Sequence, residues 1–240
     1  MAGQVAALFA TADSPDTPVS APPTPAPQQA TPAGPPLKLE QRVLLNFYDE
    51  PLKPLSIQEI QRALGVTYKP VYQALTNLAS RAVLAEERSG WARSFRADCS
   101  SPACAREFVL LEWARREAFV PGLPDGERER VQAFARRCEE EATPLFIRTL
   151  GAPAHGVPAA PSPVQLLAVL ARPEERPQVA LIARETNLSV SVSNLDVARH
   201  ILLHRPDIAA PLFRGVCLQG AELFVQERFR ALGKQAGKAP

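Results

Sequence analysis

Hydrophobic residues recur at helical spacing from residue 37 to about 142 and give way to strand-like runs after it. In LKLEQRVLLNFYDEP, Leu39, Val43, Leu44 and Phe47 share one inward face of a first helix. SIQE at 56–59 reads as a capping box, in which Ser56 accepts from the Glu59 N–H and Glu59 reaches back. Ile57, Ile60 and Leu64 follow as an apolar stripe, and Gly65 stops that helix. A third helix starts after Thr67, its expected N-cap, with Pro70 in the first turn, where a missing N–H costs nothing. Val71, Ala74, Leu75 and Leu78 make its buried face. Two short runs in AVLAEERSGWARSFRAD then flank Ser89-Gly90, a hairpin turn signal.

Further along, CAREFVLLEWARREAF reads as a helix with Phe108, Leu110 and Leu111 on its apolar side and Trp113 near it. GERERVQAFARRCEEEA follows, with an apolar line at Val131, Phe134 and Cys138. Such helices either pack on the same chain or build a dimer. From residue 143 the pattern is mixed α/β: an apolar run ending in Gly151, the run Val164–Leu170, the strand LSVSVSN (188–194) and the helix NLDVARHILLHRP. Asp196 is expected in the first turn of that helix, capped by Asn194.

Composition changes the picture at the two ends. Residues 1–36 hold 9 of the 25 prolines and no Lys or Arg, which predicts a disordered, partly polyproline tail. Residues 231–240 read as a basic, frayed tail. The 27 Lys+Arg against 25 Asp+Glu give +2, so indiscriminate coating of nucleic acid is not implied. No run of about 18 apolar residues exists, so no membrane span is expected. The start lacks the basic region of a secretory signal. Four cysteines are too few for a disulfide scaffold of 240 residues. A cytoplasmic protein is the expectation.

Two short helices around a Gly-containing turn, the second of them polar, describe a helix-turn-helix. With the hairpin after it, the segment 37–98 resembles the winged helix-turn-helix domains of bacterial transcriptional regulators. GVTYKPVYQALTNLASRAVL has their spacing, with Gly65, Val71, Leu75 and Leu78 at the turn and core positions. These domains normally carry Gly where this chain has Ala82. The resemblance implies that the third helix enters the major groove of double-stranded DNA and the hairpin touches the backbone or minor groove. Thr67, Tyr68, Lys69, Tyr72, Gln73, Thr76 and Asn77, with Arg88, Arg93 and Arg96 of the hairpin, are the candidate DNA-binding residues. Gln73 and Asn77 suit adenine edges, Tyr68 and Thr76 suit phosphates or thymine methyls, and Lys69 and the arginines suit phosphates.

A second resemblance covers about 145–226. Gly151, Ala154, Gly156, Ser162 and the strand VQLLAVL stand at the spacing of the minimal nucleotidyltransferases of the DNA polymerase β superfamily. Helix NLDVARHILLHRP and a Gly-x-x-Leu-x-Gly segment, Gly215 to Gly220, resemble the closing part of such domains. The motif is degenerate. Ala152 replaces the motif's Ser, Pro163 and Gln165 replace its two metal-binding aspartates, and the strand at 188–194 holds no third acid. Gly151, Ala152, Gly156 and Ser162 are thus a vestigial nucleotide-binding motif. Without carboxylates to hold Mg²⁺ the main source of transition-state stabilisation is missing, so no catalytic residue, metal or cofactor is expected. Arg148, His155, Arg172 and Arg176 read as scattered surface residues, His200 and His204 as surface or half-buried helix residues, and the Cys99-x4-Cys104 pair lacks a second ligand pair for zinc.

The expected fold class is α+β: residues 1–36 a tail, 37–98 a winged helix-turn-helix, 99–142 a helical connector, 143–230 a degenerate nucleotidyltransferase-like domain and 231–240 a basic tail. The expected function is sequence-specific DNA binding in transcription regulation by a nucleoid-associated protein, with double-stranded DNA as partner and a homodimer left open. The catalytically inactive C-terminal domain would serve sensing or assembly. Two alternatives stay open: an active or residual nucleotidyltransferase with displaced acids such as Glu185 or Asp196, and a protein–protein interaction module that ignores DNA.

Overall fold

A computed structural model describes residues 37–89, 92–150, 164–205, 209 and 212–236. The tail at 1–36, the Ser89-Gly90 turn in part, and the motif residues Gly151, Ala152, Gly156 and Ser162 lie outside the described residues, as do residues 237–240. The described residues belong to one compact unit with mixed α+β structure and two small sheets.

The first part is built as its sequence pattern requires. Helix α1 (Leu39–Leu45) buries Val43 and Leu44, with Phe47 and Tyr48 buried just beyond its end. Strand β1 (Leu55–Ser56) leads into α2 (Ile57–Leu64), where the Glu59 N–H donates to Ser56 Oγ at 3.3 Å and the Ser56 N–H to Glu59 Oε2 at 2.7 Å. Gly65 ends α2 at φ +63°. Helix α3 (Tyr68–Ser80) starts after Thr67, whose side chain makes no capping bond, and buries Val71, Ala74, Leu75 and Leu78. It ends with Ala82 at φ +55°, its N–H on Ala79 O and that of Val83 on Leu78 O. This left-handed turn is where glycine would be at ease. Strands β2 (Leu84–Ser89) and β3 (Ala92–Ala97) form a hairpin, and the antiparallel sheet runs β1-β3-β2.

Helices α4 (Pro102–Phe119) and α5 (Asp125–Glu141) bury their stripes within the chain. α4 packs on α1 and on the last helix, and α5 on helix α6 (Arg176–Glu185) and strand β4 (Pro144–Leu150). Leu110 departs from expectation: it is 38% exposed, as Trp113 is at 46%. At 100° per residue the stripe through Cys104, Phe108, Leu111 and Phe119 leaves position 110 on the far side. The place beside Leu111 on the inner face is taken by a carboxylate, Glu112.

Strands β4 (Pro144–Leu150), β5 (Gln165–Leu170), β6 (Ser189–Asn194) and β7 (Cys217–Gln219) form the second sheet, in the order β6-β5-β4-β7. β4 is antiparallel to β5 and β7, and β5 is parallel to β6 through α6 (Arg176–Glu185). Helices α7 (Leu195–His204) and α8 (Ala221–Ala236) complete the fold. β5 is buried on both faces. Leu166, Ala168 and Leu170 join a cluster with Val131, Phe134, Val179 and Ile182 of α5 and α6. Leu167 and Val169 join the other cluster, which runs through Phe224 of α8 and Phe108 of α4 to Leu75 of α3. Alternation along one strand thus feeds two cores, and one of them also carries the helices of the first part.

The Gly-x-x-Leu-x-Gly segment has a steric role. A Cβ on Gly215 would stand 1.9 Å from Thr149 O, and one on Gly220 2.0 Å from Leu145 O. β7 can approach β4 this closely because both positions lack a side chain.

Candidate nucleic-acid interface

The outward face of α3 follows from its inward one. With Val71, Ala74, Leu75 and Leu78 buried, Tyr68, Lys69, Gln73, Thr76 and Asn77 are exposed, as is Thr67 just before them. Tyr68 stacks on Tyr72, ring centroids 5.8 Å apart and planes within 12°. Thr76 Oγ1 donates to Tyr72 O at 2.8 Å, one turn back. Arg81 at the end of α3 is held away from this face by Glu40 and Glu107, at 2.8 and 3.1 Å.

The hairpin arginines divide by register. Directly paired residues share a face, so Arg88, Arg93 and Glu86 stand on one side of the hairpin, and Arg96 and Glu87 on the other. Arg93 donates to both oxygens of Glu86, at 2.8 and 2.6 Å, and through its third nitrogen to the Tyr72 hydroxyl at 3.0 Å. Its guanidinium also lies 5.3 Å from the Tyr72 ring centroid. Arg88 reaches Glu86 at 2.8 Å, and Arg96 pairs with Glu87. The structure therefore brings Arg93 to α3, puts Arg88 on the same face of the hairpin and leaves Arg96 on the opposite one. The hydrogen bonds from Arg93 and Arg88 hold the Glu86 carboxyl down to about 2, and the Arg93 bond lowers the Tyr72 phenol below its ordinary range. Glu86 and Glu87 thus offset two of the three arginine charges of the hairpin.

No protein-family profile, no curated protein and no solved structure matches the chain.

In the second sheet, Gln165 stands beside Ser189 across β5 and β6, both exposed, and β6 continues with Ser191 and Ser193. Glu127 of α5 reaches the start of β5 and accepts the Val164 N–H at 2.7 Å. Glu185 pairs with Arg137, and Asp196 lies in the first turn of α7, whose cap is the Asn194 side chain, its Oδ1 accepting from the Val197 N–H at 2.8 Å. Among the described residues no three His, Cys, Asp or Glu side chains come together as a metal would need. His200 and His204 are exposed, with ring centroids 4.9 Å apart. Burial pushes the Cys99 thiol up to about 11 and raises Cys104 as well, so neither is a ready thiolate. Among the described residues no helix is long and apolar enough to cross a membrane.

Arg148 corrects the surface reading. It is fully buried on β4, while Arg172 and Arg176 are exposed. It donates to Glu112 Oε1 at 2.6 Å, Gly215 O at 2.5 Å, Leu212 O at 3.0 Å and the Tyr48 hydroxyl at 3.3 Å. Glu112 also accepts from the Tyr48 hydroxyl and, at 3.2 Å, from the Cys217 N–H. Arg228 of α8 donates to Tyr48 O and stacks between the Tyr48 and Phe213 rings, at 4.6 and 4.1 Å. Burial, with Arg148 nearby, lowers the Arg228 guanidinium to about 9. This polar cluster joins the end of α1 to α4, β4 and α8. Sequence gave no sign of it, because one Arg in FIRTL and one Glu in VLLEW look like ordinary solvent positions.

Proposed function

We propose that the protein is a sequence-specific binder of double-stranded DNA that acts in transcription regulation. In this reading residues 37–98 are a winged helix-turn-helix, α3 is the reading helix and the β2–β3 hairpin is the wing. The observation that carries the reading is the α3 face. Tyr68, Lys69, Gln73 and Asn77 project from one rigid helix, and none of these side chains has a hydrogen-bond partner among the described residues. A helix inserted in a major groove needs such free polar ends, and a merely solvated helix face does not need a stacked Tyr pair. The second sheet supports the reading of residues 143–230 as a nucleotidyltransferase-like domain without its acids. Gln165 and the serines of β6 are neighbours across β5 and β6, and the resemblance assigns carboxylates to position 165 and to the later strand. That domain senses or assembles; it does not transfer nucleotides.

The test is DNA binding by the full chain, by selection from random duplexes and then titration at two salt concentrations. Phosphate contacts make affinity fall steeply with salt, and base contacts enrich a sequence. An enriched palindrome would mark a homodimer. No enrichment together with salt-independent, negligible binding would refute the reading and favour a protein partner for the same face.

A further inference from the structure

Which bases a helix reads depends on which donors and acceptors it has free. Guanine is read in the major groove mainly by an arginine or lysine fork on O6 and N7, and adenine by the amide of Gln or Asn on N6 and N7. Around α3 the hairpin arginines and Arg81 are engaged in ion pairs. Arg93 is bound through all three nitrogens to Glu86 and Tyr72, Arg88 is paired through Nε with Glu86, Arg81 with Glu40 and Glu107, and Arg96 faces away with Glu87. The amides of Gln73 and Asn77 are exposed, one helical turn apart, and without partners among the described residues. Lys69 stands one turn before Gln73, at the start of the helix, where a compact cation suits a phosphate. Thr76 has donated its hydroxyl hydrogen to Tyr72 O, so it presents a methyl group and oxygen lone pairs. A methyl beside two amides complements thymine methyls and adenine edges.

We propose that the DNA site is A·T-rich and that Gln73 and Asn77 of α3 are the residues that specify it, with the arginines kept in their ion pairs and no guanine read by them. The inference rests on the DNA-binding reading. Each amide would contact one adenine bidentately, Gln73 nearer the helix start and Asn77 one turn on.

The experiment is the duplex selection with the full chain, followed by binding to the enriched site carrying 7-deazaadenine, which lacks the N7 acceptor, at each adenine in turn. The expected result is an A·T-rich core and a loss of roughly tenfold or more in affinity at two adenine positions. Gln73→Ala should abolish the loss at one position and Asn77→Ala at the other. Both residues are exposed, so the variants should melt like the parent chain. Lys69→Ala should weaken all sequences alike and reduce the salt slope by about one. A G·C-rich core, or Gln73→Ala and Asn77→Ala variants that weaken every sequence equally, would overturn the inference while leaving DNA binding intact. Absence of any salt-sensitive binding would overturn the DNA-binding reading, and this inference with it.

Discussion

Replacing Glu112 by Gln removes the only carboxylate that Arg148 contacts among the described residues. Both residues are fully buried, and their N···O distance is 2.6 Å. The amide keeps one acceptor for Arg148 and Tyr48 but turns a donor group toward the Cys217 N–H, which now donates to Glu112 Oε2. Breaking one partner of a buried ion pair costs about 3–5 kcal/mol, because the other charge stays buried and unpaired. Arg148 would retain the carbonyls of Leu212 and Gly215, so the lower end, about 3 kcal/mol, is expected. For a domain of about 200 residues each kcal/mol moves Tm by about 2–4 °C, so Glu112→Gln should melt about 6–12 °C lower. Total stability is about 5–15 kcal/mol, so this is a large share of it. The assay is thermal and urea unfolding of the full chain by circular dichroism. The double variant Glu112→Gln, Arg148→Met removes the closer of the two cations paired with Glu112 (Arg148 at 2.6 Å, Arg115 at 3.6 Å) and should recover part of the loss, a coupling that a double-mutant cycle reads directly. A single variant within about 1 kcal/mol of the parent, or strict additivity in the double, would refute the reasoning.

Other consequences are local. Ala82 sits at φ +55° with its side chain exposed, so Ala82→Gly relieves left-handed strain and should raise the unfolding free energy read from urea titration, by about 1 kcal/mol at most once the added unfolded-state entropy is counted. Gly220→Ala places a Cβ 2.0 Å from Leu145 O at φ +68°, which should detach β7 from β4 and lower stability by more than about 2 kcal/mol, read as a fall in Tm. Glu86 is held near 2, below its ordinary 4.5. The stability its pairs contribute is therefore fully present above 4.5 and is lost as pH falls through about 2. Its carboxyl ¹³C shift should titrate near 2, and Arg93→Ala should move that midpoint upward; a midpoint near 4.5 in the parent chain would contradict the geometry.

Most of the first half was legible because its signals are local. The Ser56–Glu59 box, Gly65, Pro70 in the first turn of α3 and the apolar stripes each act within one or two helical turns. Ala82 was legible even as a departure, since the backbone there takes the conformation a glycine would favour. The strands at 165–170 and 189–194 were legible as apolar or alternating runs. What escaped was long-range. Arg148, Glu112, Tyr48 and Arg228 meet across separations of 36 to 180 residues. No periodicity reports such a meeting, and a charged residue is an ordinary surface choice until its partners are known. The pairing of Glu86 with two arginines escaped for a related reason: sequence shows the charges, and strand register decides which of them share a face.

The buried cluster also bears on how the two halves act together. Apolar residues of similar volume would stabilise the interior at least as well as these charges. What charges add is direction. The Arg148 fork fits the carbonyls of Leu212 and Gly215, the Glu112 carboxylate and the Tyr48 hydroxyl at once, and a slip of one residue between α4 and β4 would break several of these bonds. Tyr48 follows α1, and α1 packs directly on α3. The orientation of the α3 face is therefore set relative to the second sheet by hydrogen bonds rather than by a linker. A ligand or a second copy that engaged the second sheet would reposition α3 as part of one body. For a two-fold operator, half-site spacing would then be fixed by whatever pairs the C-terminal parts, and lengthening the spacer between half-sites by half a helical turn should abolish cooperative binding.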